Sequence, residues 1–115
     1  DAYTKIDIGK VELAKIQNSL AMNYLDHPSS KDFEKAEILL KKAYKNIEGH
    51  PLPTLRGSLL ACISFVEEKK ENYPLSLELA YEARGFYRMG GVDSQLQKRL
   101  DKKIKFLRKR VKRSR

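Results

Sequence analysis

The stretch FEKAEILLKKAY, residues 33–44, returns forty positions later as YPLSLELAYEAR, residues 73–84. Phe33, Ala36, Leu39 and Ala43 fall on Tyr73, Ser76, Leu79 and Ala83. Steps of three and four residues trace one face of an α-helix. The same shift aligns Leu20 with Leu60, Ala21 with Ala61 and Leu25 with Phe65, so the likeness covers two helices in each unit. A shift of 41 lays Leu55, Leu59, Ile63 and Val66 onto Leu96, Leu100, Ile104 and Leu107. The last helix thus reads as the first helix of an unfinished third unit. Any two amphipathic helices match by their common period. The matched small pairs Ala21/Ala61, Ala36/Ser76 and Ala43/Ala83 go further, because small side chains are required only where backbones approach closely.

Proline and glycine divide the chain into five segments. The first runs from Asp7, an N-cap candidate, to Leu25, with Leu13, Ile16, Leu20 and Tyr24 at helical spacing. Pro28 ends it, and Ser29 or Ser30 is placed to cap the next. The second runs from Lys31 to Glu48 and presents Phe33, Ala36, Leu39, Leu40, Ala43 and Ile47; Gly49 stops it, with Pro51 and Pro53 behind. Thr54 caps a third helix reaching Lys70, apolar at Leu55, Leu59, Cys62, Ile63 and Val66. Asn72 caps a fourth, in which Pro74 sits in the first turn, and Gly90-Gly91 closes it after Met89. Ser94 with Gln97 forms a capping-box pattern for the fifth, striped by Leu96, Leu100, Ile104, Leu107 and Val111. Nothing reads as a strand. The expected fold is all-α, about five helices in a right-handed stack of antiparallel pairs. The pairs occupy 7–49 and 53–90, with a basic amphipathic capping helix and tail at 93–115.

A hydrophobic share of 41% beside 34% charged residues is ordinary for a helix-rich domain. No apolar run approaches the roughly 18 residues of a membrane span, and no secretory leader opens the chain. The first residue is Asp1 and not Met, which reads as a fragment of a longer protein. A lone Cys62 excludes an internal disulfide and a cysteine-based zinc site. It fits a reducing compartment, so the expected location is intracellular, cytoplasmic first and nuclear if the basic tail is a signal. The net charge of +9 is unevenly placed. Residues 1–95 hold 13 Lys/Arg against 14 Asp/Glu, whereas residues 96–115 hold 11 against the single acid Asp101. The tail is basic; the rest is not.

Leu20-Ala21-x-x-Tyr24, then Phe33-x-x-Ala36 and Ala43, then Pro51, resembles a tetratricopeptide repeat. The second unit resembles it more loosely, with Ala61 in the small position, Ser64 where the Tyr would stand, and Tyr73, Ser76 and Ala83 in the second helix. The period of 40 exceeds the family's usual length of about 34. The likeness covers residues 10–90. It implies helix pairs that bury their apolar faces by stacking, and a groove lined by the first helix of each unit where peptides lie. Carried onto this chain, the groove face comprises Lys15, Asn18 and Met22, then Ser58, Cys62 and Phe65, then Arg99, Lys103 and Phe106. Basic groups beside Asn and apolar spots suit an acidic or carboxylate-ended peptide. With upstream repeats removed, Val11, Leu13 and Ile16 would be exposed, a face for self-association.

Catalytic chemistry finds no constellation. His27 and His50 each precede a Pro in a loop, with no ligand-spaced partner. Glu67-Glu68 followed by Lys69-Lys70 reads as a solvated helix end, and Cys62 as a stripe residue that is buried more often than reactive. Gly90-Gly91 lacks the spacing and the strand of a phosphate loop. The expectation is a non-enzyme without cofactor or metal, a protein-interaction module of a larger regulatory or adaptor protein. The tail, with Arg108, Lys109, Arg110, Lys112, Arg113 and Arg115, admits three readings. It is a solubilising cap, a sequence-independent contact for nucleic-acid phosphates, or a localisation signal or acidic-partner contact.

Overall fold

The computed structural model describes residues 8–26, 30–91 and 94–113. The Asp7 cap, the connection with His27, Pro28 and Ser29, and Arg115 lie outside the described residues. Those described form five helices and no strand: α1 (Ile8–Asp26), α2 (Ser30–Asn46), α3 (Pro53–Lys69), α4 (Tyr73–Gly90) and α5 (Ser94–Arg113). The chain divides into two compact units, Asp1–Leu52 and Pro53–Arg115. In the first, α1 packs on α2; in the second, α4 packs on both α3 and α5.

The repeated pattern governs the second helix of each pair. Ala36, Leu40, Ala43 and Ile47 of α2 are completely buried. Ser76, Ala80, Ala83 and Tyr87 of α4 are their counterparts forty residues on, and all are buried. Leu39 and Leu79 flank these rows and stay half-buried. Alanine or serine at two of the four places in α2 and three of the four in α4 lets the neighbouring helix approach closely, and close packing there maximises dispersion contacts.

Helix α1 follows expectation in part, with Leu13 and Ile16 exposed but Val11 buried. Its buried face is Val11, Ala14, Asn18, Ala21 and Leu25, with Gln17 at its margin, whereas Leu13, Ile16 and Leu20 are 46%, 56% and 44% exposed. Val11 therefore belongs to the core and not to the exposed row. A tight crossing against the small residues of α2 selects the alanine side of α1, because the bulk of Leu13, Ile16 and Leu20 in place of Ala14 and Ala21 would hold the helices apart. Leu96 likewise proves exposed, leaving Leu100, Ile104 and Leu107 as the buried stripe of α5.

Pro53 is the first residue of α3, so that helix begins one residue ahead of the expected Thr54 cap. Proline suits this position because its missing N–H has no intrahelical acceptor there anyway. Asn72 precedes α4 but makes no side-chain capping bond. Its amide instead donates to Glu67 Oε2 at 3.1 Å. The α3–α4 turn closes through the main chain. Glu71 N–H donates to Glu68 O and Asn72 N–H to Glu67 O, both at 2.9 Å. This arrangement needs a left-handed residue, here Glu71 at φ 62°. Gly91 supplies the same conformation after α4, at φ 65°.

Candidate functional site

The second unit contains the densest set of candidate residues. α5 lies with Leu100, Ile104 and Leu107 inward. Side chains on its flank meet the C-terminal end of α3. Arg99, Lys102, Lys103 and Phe106 of α5 and Glu68 of α3 line an open cleft of about 330 Å³. Lys103 Nζ donates to Glu68 Oε1 at 2.6 Å. The same ammonium stands 5.0 Å from the centre of the Phe65 ring, and Lys69 approaches that ring at 5.2 Å. A ring face carries partial negative charge, so Phe65 holds both cations in place.

This geometry sorts the predicted groove residues. Arg99, Lys103 and Phe106 come together, and Phe65 supports them. Lys103 is already neutralised by Glu68, which leaves Arg99 and Lys102 as the cations of the cleft able to receive a new carboxylate. Phe106, 42% exposed, is the apolar surface beside them. Sequence reasoning missed Lys102 and Glu68. The i, i+3 step from Arg99 to Lys102 is legible in the sequence, whereas the approach of Glu68 depends on how α5 docks.

Ser58 and Cys62 belong to a different cluster, around the Tyr87 hydroxyl. Burial pushes that hydroxyl above its ordinary pKa, Cys62 adds to the rise, and a hydrogen bond with Ser58 opposes it. These residues serve α3–α4 packing. In the first unit, Asn18 is buried, Met22 is exposed, and Lys15 forms a solvent-facing pair with Glu12 at 3.3 Å. Asn18 is thereby removed from the proposed groove face, because a side chain 7% exposed in the core offers nothing to a peptide.

The predicted basic patch also divides. Arg110 is stacked, 5.5 Å from the Tyr73 ring and 5.3 Å from the Phe106 ring. Arg108, Lys109 and Lys112 instead line, with Lys105, a second open cleft of about 310 Å³. No family model, curated protein or solved structure matches this chain. The geometry of its own residues is therefore the basis for assigning a function. Among the described residues, no group of three or more His, Cys, Asp and Glu is placed to hold a metal ion. No helix among them is long and apolar enough to cross a membrane.

Proposed function

We propose that the chain is a non-catalytic, tetratricopeptide-like interaction module that binds an acidic segment of a partner protein in the α3–α5 cleft. The observation that carries this reading is the convergence of Arg99 and Lys102 beside the half-exposed Phe106. The guanidinium presents a planar fork suited to a carboxylate, Lys102 adds a point charge, and the ring adds apolar area. The cleft is open and small, so the fit is to one or two side chains of a segment, with affinity in the weak range of transient recognition. Glu68 contributes selectivity: it repels a carboxylate placed too near α3 and keeps Lys103 oriented.

An NMR titration with a free-carboxylate peptide of alternating Glu and Leu tests the assignment. Backbone amide shifts should concentrate at residues 65–68 and 99–106. The Arg99→Glu and Phe106→Ala variants should each weaken binding at least fivefold. Shifts confined to other helices, or no shifts at millimolar peptide, would sink the reading.

A further inference from the structure

α5 carries a second feature on the face turned away from the core. Lys98, Lys102, Lys105, Lys109 and Lys112 follow one another at steps of four, three, four and three. That spacing keeps them in a single line along the helix, and all five are exposed. At 1.5 Å per residue the row is about 21 Å long. Among the described residues, none of these lysines has a carboxylate within ion-pair distance, and neither has the neighbouring Arg108; the only ion pairs α5 makes are Lys103–Glu68 and Arg84–Asp101.

A surface helix that needs only solubility mixes both signs of charge, because unmixed cations repel one another. α2 does so, with Asp32, Glu34 and Glu37 among its lysines. α5 has ten Lys and Arg and one Asp. Its row is also held in place. Leu100, Ile104 and Leu107 anchor it, Arg84 binds Asp101 at 3.5 Å, and Arg110 stacks on Tyr73.

We propose that the lysine row of α5 docks double-stranded DNA through its phosphates, without regard to base sequence. A stiff, evenly charged rod matches a fixed line of cations. No Asn or Gln lies between Lys98 and Arg113 to pair with an adenine edge, and no Asn, Gln, Ser or Thr to accept from a ribose hydroxyl. The row has no aromatic on which unpaired bases could stack, since Phe106 lies beside Arg110 on the flank. An anionic bilayer is disfavoured, because an interfacial helix inserts its apolar face, and here that face is in the core.

Fluorescence anisotropy on the full chain with a 20-base-pair DNA duplex provides the test. Five neutralised phosphates give a slope of log K against log salt of about −4 to −5. The exposed double variant Lys105→Gln/Lys109→Gln should lower the slope by about 2 and weaken binding about tenfold or more at low salt. Circular dichroism should show an unchanged fold. Phe106→Ala should leave duplex binding unchanged while weakening acidic-peptide binding at least fivefold, so this proposal and the cleft assignment fail separately. No duplex binding at 50 mM salt would overturn it, as would indifference to the double variant. So would tighter binding to poly-glutamate, phosphatidylserine vesicles or duplex RNA at matched charge.

Discussion

Where α1 carries Gln17, whose side chain accepts a hydrogen bond from Asn46 at 2.9 Å, α3 carries Gly57 and lets the Tyr87 ring lie against its backbone. Toward the connection between the paired helices the contrast reverses. Tyr24 and Ala36 hold the places in the first hairpin that Ser64 and Ser76 hold in the second. The Ser64 hydroxyl donates to Ser76 O and the Ser76 hydroxyl to Ser64 O, each at 2.7 Å. Each hydroxyl has one proton, so with both given to the carbonyls the 3.0 Å Oγ–Oγ approach is a packing contact. One row of small and aliphatic residues thus accommodates two ways of closing a helical hairpin. A polar clasp joins helices far from the turn in one, and beside the turn in the other. No buried polar side-chain atom among the described residues is left without a partner, so neither clasp leaves an unmet group.

Writing the first hairpin's residue into the second should have the largest effect. A Cβ at position 57 would stand 2.6 Å from Tyr87 Cδ1 and 3.2 Å from Ala83 O, a ring and a backbone that cannot both retreat. Gly57→Gln should destabilise the second unit by about 3 kcal/mol, read as a lower denaturant midpoint with amide protection lost in α3 and α4. Protection in α1 and α2 should persist if the hairpins are energetically separate. Ser76→Ala, which copies Ala36, should cost about 1 kcal/mol, because one clasp hydrogen bond is lost while the Ser64 hydroxyl keeps its acceptor. A cost near zero would mean that small size alone suffices at this position, as it does at Ala36 in the first hairpin.

The smallest effect concerns alkaline pH. Because the Tyr87 pKa is raised in the folded chain, the unfolded chain loses that proton first once pH passes about 10. The Tyr87 contribution is therefore fully present below that pH and is lost as pH climbs through the folded value. Tyr87→Phe should flatten the fall in stability above pH about 10, measured by urea melts at stepped pH. An unchanged slope would show that the hydroxyl reaches solvent more freely than its 7% residue exposure implies.

Most of the helix boundaries were legible to within two residues, since glycine, proline and hydrophobic period act locally. The buried row of α2 and α4 was legible for the same reason: its small residues recur at the crossing positions. On α1 the exposure of Leu13 and Ile16 was legible and the burial of Val11 was not; Leu13, Ile16 and Leu20 carry a stronger hydrophobic signal than Ala14 and Ala21, although the alanines are what fit a close crossing. The cleft was legible in part. Arg99, Lys103 and Phe106 were identified, but the pairing of Lys103 with Glu68 spans 35 residues and has no signature in either segment.

The sequence alone determined that the chain is helical, that one helical pair is written twice, and that the positive charge is gathered in the last helix. These are properties of residue spacing, and spacing is fixed by the helical repeat. Only the tertiary structure decided which side of α1 is buried, which cation meets Glu68, and which lysines of α5 face solvent without a counter-charge among the described residues. Those outcomes depend on the angle and depth at which whole helices pack, and side chains distant along the chain set both.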